Sequence, residues 1–187
     1  MTLAVADWLM TDSKHKPEAL VACMQRLGRK YINAGYGSMF RKWLLSEHPQ
    51  PYNSFGNGSA MRVSPIGLYA NSLEEALELA RISASVSHNN PEGIKGAQAI
   101  AGCVYLKSHA AWSTEHYKIN QFVTETIGYN LDSQLEDIRN EYTFDVTCQG
   151  SVPIAIMAYL QRYNYPPEKA LRLAISMGGD SDTIGCM

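Results

Sequence analysis

Apolar residues recur every three or four positions along most of the chain, as expected for helices that bury one face. The pattern predicts helices over residues 3–10, 17–33, 72–87, 91–111, 115–129, 133–140, 152–163 and 167–177. Strict alternation never extends over more than a few residues, so residues 143–147 are predicted to form a loop, with a short strand as the alternative. The pattern therefore predicts an all-α fold, a compact single domain of many helices over residues 1–187.

Local signals mark where several helices begin. Pro17 and Pro91 suit the first turn of a helix, where a missing N–H costs nothing. Ser72 and Glu75 form a capping-box pattern. The helix that begins at Pro91 is rich in Gly and Ala, and each glycine costs about 1 kcal/mol of helix propensity relative to alanine. This helix is therefore predicted to be central and to be stabilised by packing on several sides.

Composition excludes several classes of protein. Apolar residues make up 45% and charged residues 18% of the 187 residues, which is typical of a folded globular protein. The formal net charge of −2 provides no basic field, so neither nucleic acid nor an anionic membrane is an expected partner. The apolar runs are too short to span a membrane, and no signal peptide is recognised.

The four cysteines, at positions 23, 103, 148 and 186, match no zinc-ligand spacing. Cys23 and Cys103 lie in apolar helical patterns and are predicted to be buried free thiols. Free thiols suit a reducing compartment, so the protein is expected in the cytoplasm.

The segment with the most chemical potential is Gly178-Gly179-Asp180-Ser181-Asp182-Thr183. Its two glycines allow the backbone to turn sharply after the preceding helix. Carboxylate and hydroxyl oxygens are ligands for hard cations such as Mg²⁺ or Mn²⁺. The alternative is that Asp182 caps a helix and binds no metal. A phosphatase-like motif would follow a buried strand, whereas this segment follows a predicted helix.

A second candidate segment, from Phe55 to Val63, contains Gly56-Asn57-Gly58. These residues can adopt positive φ and can present consecutive backbone N–H groups before a predicted helix, which suits a phosphate or diphosphate. The alternative is a simple turn that precedes a helix.

Polar residues also stand at two predicted helix boundaries. His88 lies in a corner between two predicted helices, and an ordinary histidine pKa of about 6.5 suits either a catalytic or a structural role. Ser151 and Pro153 are predicted to be the cap and the first turn of the helix over residues 152–163. A serine nucleophile is not expected, because the sequence contains no Gly-x-Ser-x-Gly elbow.

In combination and in this order, these segments resemble the ADP-ribosylglycohydrolase family, including the dinitrogenase-reductase-activating glycohydrolases. The resemblance covers nearly the whole chain. It is carried by Gly56-Asn57-Gly58-Ser59-Ala60-Met61-Arg62-Val63-Ser64-Pro65-Ile66-Gly67, Ser87-His88-Asn89-Asn90-Pro91-Glu92-Gly93 with Gly96-Ala97, Gly150-Ser151-Val152-Pro153 and Gly178-Gly179-Asp180-Ser181-Asp182-Thr183-Ile184-Gly185.

The resemblance implies an all-α fold with a two-ion Mg²⁺ or Mn²⁺ centre. It implies hydrolysis of an N- or O-glycosidic bond between ADP-ribose and a protein side chain or small acceptor, with the metal positioning a water and the sugar carbon passing through a cation-like state. By the same resemblance, Asp180, Asp182 and Thr183 are expected metal ligands. Ser54, Phe55, Gly56, Asn57 and Gly58 are expected to bind the phosphates and nearby ribose, and His88 is an expected substrate contact. No catalytic residue is assigned.

The chain departs from the family pattern near its start. The family carries a Thr-Asp-Asp-Thr run just before a helix that residues 1–9 resemble, and Thr2 and Asp7 do not occupy the matching positions. The family's closing helix is not matched either. The expectation is a half-built metal centre that holds at most one ion, with little or no hydrolase activity. Because both ends interrupt apolar helical patterns, homo-oligomers are also expected.

Two other functions stay open on the sequence. One is a binding module that holds ADP-ribose or a nucleotide without catalysis. The other is a structural protein that keeps only the helical scaffold.

Overall fold

A computed structural model describes residues 1–111 and 113–187 of the protein. The α-helices of these residues are α1 (Thr2–Thr11), α2 (Pro17–Lys30), α3 (Ser38–Leu45), α4 (Ser64–Tyr69), α5 (Leu73–Ser85), α6 (Pro91–His109), α7 (Glu115–Gln121), α8 (Leu135–Ile138), α9 (Cys148–Leu160), α10 (Pro167–Ser176) and α11 (Ser181–Cys186). A 3₁₀ turn spans Ala60–Arg62, and a π-helical segment, Phe122–Ile127, continues α7. In these same residues the β-type pairing is one isolated antiparallel bridge, between Gly56 and Thr147. The predicted all-α fold is confirmed, and residues 143–147 form the predicted loop.

The helix starts predicted from Pro17, Pro91 and Ser72 are confirmed. The helices α2 and α6 begin at Pro17 and Pro91, and α10 begins at residue 167, the start of its predicted range. The Ser72 side chain caps α5 by accepting a hydrogen bond from the Glu75 N–H at 3.1 Å. The Glu75 carboxylate reaches one residue further out than in a capping box, to the N–H of Asn71 at 2.7 Å.

The predicted start of α9 is wrong. The helix begins at Cys148, because Thr147 rather than Ser151 is its cap and accepts a hydrogen bond from the Gly150 N–H at 3.1 Å. Pro153 therefore lies inside the helix and not in its first turn. The result is a longer α9 whose first turn carries residues 148–151.

Two other predicted helices are shorter than expected. The helix predicted over residues 115–129 changes to π geometry at Phe122, and the one predicted over residues 133–140 is reduced to Leu135–Ile138. The cysteine prediction also needs correction, since Cys23 and Cys103 are half-buried rather than buried. Cys23 of α2 contacts α1, where its Sγ lies 3.2 Å from Asp7 Oδ2. All four cysteines are free.

Helix α6 is central, as its small residues predict, and α4, α5 and α9 all pack against it. A Cβ atom at Gly96 would lie 2.4 Å from the Cys148 Sγ of α9, so the two helices approach too closely for any side chain there. A Cβ atom at Gly67 of α4 would lie 2.5 Å from the Ala101 carbonyl oxygen of α6. This close packing offsets the helix-propensity cost of the glycines.

A second, smaller apolar core joins α9, α10 and α11. Leu173, Met177 and Ile184 are buried in it. Between α10 and α11 the chain turns at Gly178 and Gly179, whose φ angles of +75° and +64° confirm the predicted glycine turn. This core and this turn fix where α11 begins.

Within the two described ranges, no helix combines the length and the apolar character needed to cross a bilayer.

Candidate active site

The carboxylate-rich segment lies at the start of α11. Asp180 is half-buried at the N-cap position, Asp182 is exposed in the first turn, and Thr183 is buried. Asp182 is therefore not the cap, although its carboxylate does lie in the first turn, at the positive end of the helix dipole, as the alternative expected. The Asp180 side chain does not cap it by a hydrogen bond either. Instead, its Oδ2 accepts a hydrogen bond from Asn57 Nδ2 at 2.7 Å.

Several oxygens of this segment have no hydrogen-bond partner in the described part of the chain: the Asp182 carboxylate, the Thr183 hydroxyl and Oδ1 of Asp180. These ligand types fit Mg²⁺ or Mn²⁺, which prefer oxygen. Among residues 1–111 and 113–187, no group of three or more His, Cys, Asp or Glu side chains stands together. Because Mg²⁺ takes about six ligands, the residues present fit one ion that keeps several waters. They do not fit a fully protein-bound pair of ions.

The loop of residues 54–58, called here the 54–58 loop, passes beside Asp180 and is held from one side by the segment before α9. The Asn57 N–H donates to the Val146 carbonyl at 2.8 Å, and the Cys148 N–H donates to the Phe55 carbonyl at 2.9 Å. Asn57 is 6% exposed, whereas the Phe55 ring is 48% exposed. The backbone of the loop is therefore fixed, and one aromatic ring remains open to a ligand.

Only part of this loop can offer backbone N–H groups to an anion. The Gly56 N–H donates to Ser54 Oγ at 3.1 Å, and the Asn57 N–H is bonded as described above. Neither Gly56 nor Gly58 has a positive φ, and a three-residue 3₁₀ turn, not an α-helix, follows the loop. The predicted run of free N–H groups is therefore wrong for Gly56 and Asn57. The Gly58 N–H has no partner within the described residues.

His88 lies in the predicted corner, between α5 and α6, and its ring faces the 54–58 loop. A Cβ atom at Gly58 would lie 3.2 Å from His88 Nε2, so the absence of a side chain there leaves room for the ring. The ring is 6% exposed and its centroid lies 5.4 Å from that of Tyr52. Burial, helped by the positive charge of Arg62, lowers the pKa of His88 to about 3. The imidazole is therefore neutral at neutral pH.

Arg62 lies behind the loop and is 1% exposed. Its Nη2 donates to Ser87 Oγ at 3.0 Å and to the Ser83 carbonyl, and its Nε donates to Ser83 Oγ at 3.4 Å. Burial lowers the pKa of Arg62 to about 10, which still leaves the guanidinium charged at neutral pH. Within the described residues no carboxylate pairs with it. The site thus contains a buried positive charge that only neutral oxygens solvate.

Sequence reasoning missed three of these residues as parts of the site: Arg62, Ser87 and Ser151. Ser151 Oγ accepts the second N–H of the Asn57 amide at 3.1 Å and donates to the Thr147 carbonyl at 2.5 Å. One signal was available for Arg62, since a charged residue between Met61 and Val63 in an apolar stretch implies a buried charge that needs acceptors. No sequence signal indicates the partners of Ser87 or Ser151.

The structure thus joins Asn57 to Asp180, and His88 to the glycines of the 54–58 loop. Within the described residues no hydrogen bond links His88 directly to Asp180, Asp182 or Thr183. Asp7 takes no part in the site, because its carboxylate pairs with Arg26 of α2 at 2.5 Å.

Residues 1–187 match the family model described as ADP-ribosylglycohydrolase. The chain is 28% identical to ADP-ribosylhydrolase ARH3 of Mus musculus, over 72% of this chain and 47% of that protein. It is 29% identical to ARH3 of Homo sapiens, over 72% of this chain and 48% of that protein. For ARH3 of Danio rerio the identity is 25%, over 100% of this chain and 65% of that protein.

A solved structure described as an ADP-ribosylglycohydrolase-related protein complex superposes with a TM-score of 0.68 at 21% identity, over 99% of this chain and 65% of that chain. At this identity the likeness shows a shared fold. The chain spans about half the length of the mouse and human relatives that it matches.

Proposed function

The chain belongs to the ADP-ribosylglycohydrolase family, and we propose that it acts in the hydrolysis of the glycosidic bond between ADP-ribose and a protein side chain or small acceptor. The observation that carries this proposal is the hydrogen bond between Asn57 and Asp180. It sets the 54–58 loop, with its exposed Phe55 ring and its Gly58 N–H, next to Asp180, Asp182 and Thr183, which keep oxygens without a hydrogen-bond partner in the described part of the chain. A surface that suits a diphosphate beside oxygens that suit a cation supports a metal-assisted form of this reaction.

In this proposal the 54–58 loop and His88 bind ADP-ribose. The Gly58 N–H donates to a phosphate oxygen, and the exposed Phe55 ring provides an apolar face for the ribose. Ser54 and Asn57 act mainly by holding the loop, since Ser54 Oγ accepts from Gly56 and the Asn57 amide holds Asp180. His88 contacts the substrate as a neutral ring.

Asp180, Asp182 and Thr183 would hold one Mg²⁺ or Mn²⁺. When bound, such an ion positions a water and orients the ribose hydroxyls. The residues of the chain supply the rest of the arrangement. Asn57 holds one oxygen of the Asp180 carboxylate and leaves the other available, and the anionic side chains favour the cation-like state of the sugar carbon.

We propose that residues 1–187 alone have little hydrolase activity, because the donor set fits one ion whereas the family resemblance implies a two-ion centre. The test is to incubate the chain with an ADP-ribosylated peptide in Mg²⁺, in Mn²⁺ or in EDTA, and to measure released ADP-ribose. Slow release that needs metal supports both proposals. Rapid metal-dependent release would defeat the proposed impairment, and release that is equally fast in EDTA would defeat the metal-assisted reaction.

A second candidate is a module that binds ADP-ribose or a nucleotide without catalysis. It is favoured by the lack of any group of three or more His, Cys, Asp or Glu side chains across the described ranges. Binding of ADP-ribose that is unaffected by EDTA would favour this candidate over the hydrolase. A structural role alone predicts no binding in either condition.

We also propose that the protein resides in the cytoplasm, because its four free cysteines suit a reducing compartment.

We further propose that the protein forms homo-oligomers. An apolar groove of about 340 Å³ lies among α6, α9, α10 and α11. Ile100, Ala155 and Ala174 line the groove, and the Leu171 side chain at its edge is 46% exposed. Exposed apolar surface of this kind is commonly covered by a partner. Sedimentation is expected to give a dimer or larger species, and a monodisperse monomer would count against the proposal.

A further inference from the structure

We propose that Arg62 is a positioning residue that acts through the Ser87 hydroxyl to fix His88 as its Nε2–H tautomer, so that the ring donates a hydrogen bond toward the 54–58 loop. The identity of the acceptor, a phosphate oxygen of ADP-ribose, rests on the proposed function. The tautomer itself follows from contacts within this chain and can be tested without any ligand.

The direction of the hydrogen bonds begins at Arg62. A guanidinium group can only donate, so Ser87 Oγ is the acceptor in the 3.0 Å bond from Arg62 Nη2. Ser87 has a single hydroxyl hydrogen, and the other polar atom beside its oxygen is His88 Nδ1 at 2.8 Å. If Nδ1 donated instead, the Ser87 hydroxyl hydrogen would have no acceptor among the described residues, so we infer that the hydroxyl donates to Nδ1 and that Nδ1 is the unprotonated nitrogen. In a neutral imidazole the hydrogen is then on Nε2.

The Nε2–H group points at the 54–58 loop and is free to meet a ligand. A Cβ atom would lie 3.2 Å from Nε2 at Gly58 and 3.8 Å from it at Gly56, so these two glycines leave the approach open. His88 Nε2 has no hydrogen-bond partner within the described residues. Nε2 is not among the fully buried unpaired atoms of the described residues, so a molecule that enters from solvent can supply its acceptor.

The charge of Arg62 identifies the kind of acceptor. The hydrogen bonds of this 1% exposed side chain all go to neutral oxygens, two on Ser83 and one on Ser87. An uncompensated positive charge in a poorly polarisable interior favours an anion nearby more strongly than it would in water. The acceptor that suits this environment is an anionic oxygen, and in ADP-ribose the anionic oxygens are those of the diphosphate.

The tautomer is measured by long-range ¹H–¹⁵N correlation spectra of the histidine rings, at neutral pH and without ligand. The His88 signals are identified by their loss in His88→Gln. In the unmodified chain we expect His88 as the Nε2–H form alone. In Ser87→Ala we expect the Nδ1–H form to appear, because nothing then donates to Nδ1. Arg62→Met is expected to do the same, and if that variant does not fold, Ser87→Ala decides the question.

The matched control is Ser83→Ala. It removes the other serine hydroxyl that Arg62 contacts and leaves the bond between Ser87 and His88 in place, so the His88 spectrum should not change. If Arg62 and Ser87 only filled the core, replacing either of them would leave the His88 tautomer unchanged. The proposal is overturned if His88 is the Nδ1–H form in the unmodified chain, if Ser87→Ala or a folded Arg62→Met leaves the tautomer unchanged, or if Ser83→Ala alters it as strongly.

Calorimetric titration then tests the acceptor. Ser87→Ala should weaken ADP-ribose binding about tenfold, the effect of one hydrogen bond, while adenosine, which has no phosphate, binds as before. Ser83→Ala should keep the ADP-ribose affinity within about twofold. If the tautomer shifts in Ser87→Ala and ADP-ribose affinity does not, the donor role is wrong. If the unmodified chain binds no ADP-ribose at all, the proposed function fails, while the spectra still decide the tautomer.

Discussion

The side-chain amide of Asn57 donates to Asp180 Oδ2 at 2.7 Å, although the two residues are 123 positions apart in the sequence. The other N–H of the same amide donates to Ser151 Oγ at 3.1 Å. One buried amide therefore joins the 54–58 loop, the first turn of α9 and the start of α11. The positions of the loop and of the Asp180 carboxylate are therefore coupled through this side chain.

The first prediction concerns Asn57→Ala. The substitution leaves Asp180 and Ser151 without their shared donor, so the free energy of unfolding should fall by about 1–3 kcal/mol. Urea unfolding at neutral pH measures it. Asn120→Ala is the control, because Asn120 is exposed on α7 and should change the free energy by no more than about 0.5 kcal/mol. Equal losses in the two variants would show that the amide does not hold the segments together.

The second prediction concerns pH. Burial lowers the pKa of His88 from 6.5 to about 3, so between these values the unfolded chain binds a proton that the folded chain does not. The contribution of the neutral ring to stability is therefore complete above about pH 6.5 and is lost progressively as the pH falls toward about 3. A shift of one pKa unit corresponds to about 1.4 kcal/mol, so roughly 2 kcal/mol should be lost between neutral pH and about pH 5.

The measurement compares urea unfolding of the unmodified chain and of His88→Gln at these two pH values. Glutamine does not titrate, so the variant should show the smaller drop on acidification. His48→Gln serves as the control, since His48 is exposed and should leave the pH dependence as it is in the unmodified chain. A pH dependence that is identical in all three proteins would rule out this role for His88.

The third prediction concerns Gly58→Ala. The added Cβ atom would lie 3.2 Å from His88 Nε2, so the ring must move by a few tenths of an ångström and its N–H would be covered. ADP-ribose binding, measured by calorimetry, should weaken about tenfold, the equivalent of one hydrogen bond. Gly37→Ala is the control, because a Cβ atom there meets nothing within 4 Å. If both variants bind ADP-ribose with the same affinity, Gly58 has no part in the site.

The fourth prediction concerns Gly67→Ala, at the contact between α4 and α6. A Cβ atom there would lie 2.5 Å from the Ala101 carbonyl oxygen and 2.8 Å from the Tyr105 backbone nitrogen, and neither atom can move without moving α6. The overpacking should cost about 3 kcal/mol of unfolding free energy, more than the gain in helix propensity. Gly37→Ala is again the control. Unchanged stability in Gly67→Ala would mean that the two helices are less close than the structure indicates.

Local signals predicted much of the fold. Pro17, Pro91 and the cap at Ser72 each act within one helical turn, so their consequences can be read from the sequence. The start of α9 could not be predicted in this way. Ser151 and Pro153 match the sequence pattern of a cap and a first turn, but the cap is Thr147. The Ser151 hydroxyl is engaged elsewhere, by the Asn57 amide and the Thr147 carbonyl.

The candidate site, like the fold, was only partly predictable from the sequence. Residue types identified Asp180, Asp182 and Thr183 as oxygen ligands, and family resemblance pointed to the 54–58 loop and to His88. The contacts that connect these parts depend on tertiary packing. The Arg62–Ser87–His88 relay requires α5 to end beside the 3₁₀ turn, and no spacing rule relates residues 62 and 87. The glycines of the 54–58 loop were expected to provide positive φ, and they provide clearance for His88 instead.

The proposed metal-dependent binding of ADP-ribose is tested most directly by calorimetry. The 187-residue chain and Asp182→Asn are each titrated with ADP-ribose, once in Mg²⁺ and once in EDTA. Asp182 is exposed and has no hydrogen-bond partner in the described part of the chain, so the variant should fold as the unmodified protein does. We predict that the unmodified chain binds ADP-ribose in Mg²⁺ and that this binding is lost or much weakened in EDTA. In Mg²⁺, Asp182→Asn should bind ADP-ribose more weakly than the unmodified chain. Binding of equal strength in EDTA, or no binding in either condition, would contradict the proposal.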